Sequence, residues 1–169
     1  MQRRRLLKVT LGASALAVAS AGVGTLWLRG EPAPIATFPD TDAALTWIDA
    51  VSRDRSVRSI TFWTLAQVLE HAAQCVEYSL DGYPTINSKL FRASVGALAF
   101  SAFSRRGRMS HATDQSIPGA PALVAADAAA AAQRLIQALR RFESHAEFAA
   151  LAPHFAYGGL DKNEYRRAH

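Results

Sequence analysis

Gln67, His71, Gln74 and Tyr78 follow one another at intervals of four, three and four residues. On a helix that spacing sets them in one line beside an apolar face. A polar line in that place is what an internal site between facing helices needs, whether for a metal or a small substrate. The same line also suits the wet rim of a bundle. His71 is a metal-ligating residue type, but a single histidine with no second ligand near it in sequence specifies no ion. The remaining histidines, His111, His145, His154 and His169, form no pair at a spacing of three or four. His111 and His145 read as solvent-exposed. Carboxylates are few and scattered, so paired acid–base chemistry is not indicated. Ser79 and Ser101 have no base partner visible in the sequence. The one cysteine, Cys75, lies inside an apolar helical pattern and reads as a small core residue, and it leaves the chain without disulfides. There is no G-x-G-x-x-G, Walker loop, G-x-S-x-G or H-E-x-x-H motif, so no organic cofactor and no catalytic residue is assigned.

The elements that must carry these residues are helical. Half of the 169 residues are hydrophobic and alanine is abundant, which favours helix because alanine loses no side-chain entropy on folding. Asp40 or Thr41 caps a first helix over about 42–54, with either Leu45, Ile48 and Val51 or Ala44 and Trp47 turned inward. Thr61 caps a second over about 62–81, whose Leu65, Val68, Leu69, Ala72, Val76 and Leu80 follow a 3.6-residue period. Gly82 and Pro84 stop it. A third helix, about 87–105, offers Leu90, Phe91, Val95, Leu98, Ala99, Ala102 and Phe103 to the core. A polar loop spans Gly107 to Pro121. A fourth helix, about 124–143, buries Ala128, Ala131, Leu135, Ile136, Leu139 and Phe142. Pro153, Gly158 and Gly159 break the next stretch, and Asp161 caps a last helix running to His169. No alternating run flanked by hairpin turns competes with this pattern. The class expected is all-α, an antiparallel bundle.

The N-terminus is of a different kind. Arg3, Arg4, Arg5, Leu6, Leu7 and Lys8 match a twin-arginine export signal. The run from Val9 to Leu28 is apolar and free of charge, and it contains small-x-small cleavage candidates at Ala17-Val18-Ala19 and Ala19-Ser20-Ala21. It is also long enough to span a bilayer. Cleavage would leave a periplasmic protein; retention would leave an anchor with the arginines inside. Both place residues 41–169 outside the cytoplasm, after a linker over 29–40, with the twin-arginine translocase as the export partner. The net charge of +5 is scattered rather than gathered into an aromatic-interleaved stripe, so no nucleic-acid partner is expected.

Three further segments carry a resemblance. They are Trp63-Thr64-Leu65-Ala66-Gln67-Val68-Leu69-Glu70-His71-Ala72-Ala73-Gln74 with Tyr78-Ser79-Leu80-Asp81-Gly82-Tyr83-Pro84; Ile117-Pro118-Gly119-Ala120-Pro121; and Pro153-His154-Phe155-Ala156-Tyr157-Gly158-Gly159-Leu160 with Glu164-Tyr165. Together they resemble the DinB-like superfamily, and within it the domain of unknown function 1569 family, over residues 40–169. The resemblance implies an up–down four-helix bundle and a divalent metal, zinc or nickel, held by three histidines. His71 matches the first of these. The other two belong to the final helix, where this sequence reaches only His169. The last helix is therefore expected to be truncated and the metal site incomplete.

Two functions follow as expectations. One is an exported helical module that binds or scaffolds, with a vestigial site along His71. The other is a metal-dependent transferase or hydrolase using His71 as one ligand. A shortened last helix would leave an apolar face uncovered, so either marginal stability or a second copy forming a homodimer is expected.

Overall fold

The structure is a computed structural model that describes residues 38–107, 115–124 and 127–169. Residues 3–8, which read as an export signal, the apolar run 9–28, most of the linker and His111 lie outside these residues. Among the described residues the secondary structure is helical, with one isolated β-bridge, His154 to Gly158, and no strand. No helix among them is long and apolar enough to cross a membrane.

Helix α1, Thr41–Arg53, begins at Asp40, whose carboxylate accepts from the Ala43 amide at 2.8 Å. Asp42 in the first turn and Arg53 in the last complement the helix dipole. Of its two apolar faces the first turns inward: Ile48 is buried and Leu45 packs on the core, while Trp47 stays outside against Phe38, ring to ring at 5.5 Å.

Helix α2, Leu65–Asp81, is capped by Thr64 rather than Thr61. The physical reason is the capping box. Thr64 accepts from the Gln67 amide, and the Gln67 side chain reaches back to accept from the Thr64 amide. Thr61 has no glutamine or glutamate three residues on, and its hydroxyl instead accepts from the Trp63 amide at 3.2 Å. The centre of the buried face is Ala66, Leu69, Ala73 and Val76. Two alanines in that line let the facing helix come close.

Helix α3 is one helical run in three parts: Lys89–Phe91 in α geometry, Arg92–Gly96 as a π-helical stretch and Ala97–Arg106 in α geometry again. Here the expected core face is corrected. Leu90 and Leu98 are 79% and 73% exposed, and Phe91 and Val95 are exposed too. The residues buried are Gly96 and Phe100. The segment is apolar nearly all round, so its period could not choose a face, and the π-helical stretch shifts the register between its two ends.

Helix α4, Ala128–Ser144, is capped by Asp127 and buries Ala131, Ala132, Leu135, Ile136, Ala138 and Phe142. It is the hub. The α2–α4 pairing is the most extensive in the molecule and α1 against α4 comes next. Arg134 bridges from α4 to Glu70 and Glu77, and Arg141 to Asp81. Helix α5, Lys162–Ala168, opens with a second capping box, between Asp161 and Glu164. Tyr165 is fully buried and meets Phe142 edge-on at 6.5 Å. Lys162 is 4% exposed, yet its ammonium donates to the Glu143 and His145 carbonyls at 2.8 and 2.6 Å, with Glu143 and Glu147 carboxylates just beyond. It satisfies carbonyls that the end of α4 leaves open.

Helix α3 has no comparably extensive partner helix among the described residues. It lies on the turn at 154–158 instead. A Cβ on Gly96 would stand 1.9 Å from the Ala156 carbonyl oxygen, so only glycine permits this approach.

Candidate functional site

Chemistry-bearing side chains gather in two places: an internal cluster of imidazoles, phenols and a thiol, and an open groove beside α3.

In the cluster, the His154 ring stacks on Tyr157 with centroids 4.3 Å apart and the planes 7° from parallel. Its Nδ1 accepts from the Ala156 and Tyr157 amides at 3.1 and 3.2 Å. The Nδ1 lone pair is therefore committed, and the proton of the neutral ring is assigned to Nε2 by that geometry. A ring held this way offers no free nitrogen to a metal. Burial, and then the nearby His169, hold its pKa down to about 4. The backbone of His154 also pairs with Gly158 in both directions. Its role is to fix the turn on which α3 rests.

His169 Nε2 lies 3.3 Å from Ser79 Oγ, a pairing across the whole chain that spacing could not reveal. It is not a nucleophile–base pair. Ser79 is fully buried and its hydroxyl donates to the Val76 carbonyl at 2.6 Å, which leaves Oγ to accept from His169. His169 is exposed as a residue, at the chain end, but its ring stacks on Tyr165 and meets Phe142 edge-on. Burial of that ring holds its pKa down to about 4.

His71 Nε2 is 3.7 Å from Cys75 Sγ, with Trp63 tilted over the imidazole at 4.9 Å. Burial pushes the Cys75 thiol up to about 12, so at neutral pH it is a thiol and no thiolate nucleophile forms. Tyr83 donates to the Cys75 carbonyl at 3.4 Å and Tyr165 to the Ala152 carbonyl at 2.7 Å. Burial raises both phenols, so they stay protonated. In this cluster His154, Tyr83 and Tyr165 are bonded to backbone amides or carbonyls, while His71 pairs with Cys75 and His169 with Ser79. The cluster fastens α2, the 152–158 segment and α5 together.

Two glutamines of the polar line on α2 donate to a neighbouring loop, although Gln74 Oε1 stays buried without a hydrogen bond. Gln67, beyond its capping role, donates through Nε2 to the Leu123 carbonyl at 3.2 Å. Gln74, 3% exposed, donates to the Pro121 carbonyl at 3.4 Å. The two glutamines hold the 117–124 loop along α2. Tyr78 meets Tyr83 at 5.7 Å. The line reads, in space, as a seam. Among the described residues no group of three or more His, Cys, Asp or Glu side chains converges as a metal site.

The groove is built otherwise. It runs between α3 and the 157–167 segment, with a volume of about 510 Å³. Its lining is apolar at Phe100, Tyr157 and Leu160, and includes Ser101, Ser104 and the charged Arg105, Arg167 and Glu164. Tyr157 is where the cluster and the groove join, stacked on His154 behind and lining the groove in front. A second hollow of about 380 Å³ adjoins it, sharing Ala97, Tyr157 and Gly159 and adding Lys89 and Arg92. None of Gln67, His71, Gln74 or Tyr78 lines either hollow. Sequence reasoning missed the groove because its residues come from separate stretches, 89–105 and 157–167, with no shared motif. The one signal in the sequence was the glycine pair Gly158-Gly159 facing a helix rich in alanine and serine.

A family described as "Protein of unknown function (DUF1569)" matches residues 35–169. No curated protein and no solved structure matches the chain. With four-fifths of its length inside that match, the chain belongs to the DUF1569 family.

Proposed function

We propose that this protein is an exported helical binding module whose ligand site is the groove between α3 and the 157–167 segment. The observation that carries the reading is the groove itself. It has a volume of about 510 Å³, an apolar part to its lining and a few polar groups, which is the make-up of small-molecule sites. In the internal cluster, by contrast, His154, Tyr83 and Tyr165 are already bonded to the backbone, which suits fastening better than turnover. The fold proposed is the DinB-like up–down bundle, with α1, α2 and α4 packed together and α3 standing apart. Export is proposed from Arg3, Arg4, Leu6, Leu7 and Lys8, giving residence on the outer side of the cytoplasmic membrane.

The test is to block the groove. Ala97 is exposed and lines both hollows. Ala97→Trp is expected to abolish binding of small aromatic probes seen by ligand-observed NMR, with the melting temperature of the protein unchanged. Probe binding that survives the block would remove the reading. The metal reading has one feature in its favour, the two donors of His71 and Cys75 at 3.7 Å. Zinc or nickel retained after dialysis by the full chain, and lost in His71→Ala, would favour it over the groove.

A further inference from the structure

Four arginines on these helices are answered by a carboxylate: Arg53 by Asp49, Arg134 by Glu70 and Glu77, Arg141 by Asp81, and Arg166 by Glu143 and Glu147. Arg105 and Arg167 are not among them. They come from different elements, α3 and α5, and both line the same groove. Neither has a carboxylate partner among the described residues. The one carboxylate in the groove, Glu164, already accepts from the Asp161 amide at 3.0 Å within the α5 capping box. Two guanidinium groups therefore border a hollow lined by Phe100, Tyr157 and Leu160.

We propose that the groove binds a small organic anion, its carboxylate or phosphate group held by Arg105 and Arg167 and its apolar body lying on Tyr157. This rests on the binding-module reading and adds the charge of the ligand to it. Planar guanidinium groups fit the oxygens of both anion types in bidentate fashion. The apolar lining excludes a bare inorganic ion as the preferred ligand, since such an ion would gain nothing from Tyr157 and Phe100. Lys89 and Arg92 in the adjoining hollow extend the positive field along the same path. Arg105 stands in the last turn of α3, where a cation also suits the helix dipole. Arg106, its neighbour, serves the dipole equally and lines neither hollow.

The experiment titrates the full chain with benzoate, phenyl phosphate and the neutral benzyl alcohol, by calorimetry at two salt concentrations. Benzoate or phenyl phosphate is expected to bind at least about tenfold tighter than benzyl alcohol, and the tighter of the two names the anion class. Arg105→Gln with Arg167→Gln is expected to erase that difference while Arg106→Gln leaves it intact, and higher salt is expected to weaken only the anions. Because neither arginine carries a described ion pair, the double variant should melt with the parent protein. Benzyl alcohol binding as well as the anions, with Ala97→Trp still abolishing all three, would overturn the anion proposal and leave the binding module standing. Failure of every probe to bind would overturn both.

Discussion

The α2–α4 pair and helix α3 are similar in composition and opposite in circumstance. Both are rich in alanine and leucine. On α2 and α4 the small residues Ala66, Ala73, Ala131, Ala132 and Ala138 are buried between the helices, and arginines at the edge find carboxylates across the gap. On α3 Leu90 and Leu98 are open, and the contact that seats the helix is Gly96 on the Ala156 carbonyl. The difference teaches where stability and function part. The paired helices have Arg134 and Arg141 answered, although Glu70 Oε2 and Gln74 Oε1 on α2 stay buried without a hydrogen bond. A helix held along one line keeps a free flank, and that flank carries the groove and its unpaired charges.

The largest expected effect lies at the α4–α5 junction. Phe142 is 1% exposed and touches both Tyr165 and His169. Phe142→Ala should cost about 3–5 kcal/mol in denaturant unfolding through the lost burial and the cavity left behind. The seat of α3 comes next. Gly96→Ala would put a methyl into the Ala156 carbonyl, and a loss of about 1–3 kcal/mol is expected even though alanine is the better helix former. That result would set Gly96 apart from Leu98, where Leu98→Gln on a 73% exposed site should stay within about 0.5 kcal/mol.

Acid should act on the cluster. His154 and His169 are both held down to about 4 in the folded protein, against about 6.5 when unfolded. The unfolded chain therefore binds protons more readily across that window. Their contribution is whole above about pH 6.5 and is lost as pH falls through about 4. A stability loss on the order of 2 kcal/mol is expected, held below the sum of both shifts because His169 sits at an exposed chain end. His154→Gln should flatten part of the pH profile. A profile that does not change would contradict the burial of that ring. The exposed ion pair Arg141–Asp81 should matter little, with a coupling that a double-mutant cycle barely registers.

How much of this was legible in the sequence follows from the same contrast. Helices with an amphipathic period and a clear cap could be placed to within a few residues, as with α2 and α5. Asp161 is read as a cap from the sequence, and in the structure Glu164 three residues on closes its capping box. The same rule, applied to Thr64 and Gln67, would have moved the start of α2 away from Thr61. On α3 the pattern failed, because an apolar surface all round gives no direction and because glycine seats the helix by its lack of a side chain. Gln67, His71, Gln74 and Tyr78 all lie on α2. The use of that line was hidden, since Gln67 and Gln74 bond to carbonyls at 123 and 121, which no local spacing announces. The pairing of His169 with Ser79 was hidden for the same reason.

The claim at the centre is that ligand binding belongs to the α3 groove and not to the His71 line. Backbone amide shifts of the full chain, followed by NMR while phenyl phosphate is added, separate the two. Shifts gathered at Ala97, Ser101, Ser104 and Gly159, with Gln67, His71, Gln74 and Tyr78 unmoved, are the predicted result. Shifts gathered at His71 and its neighbours on α2, with the groove silent, would contradict it.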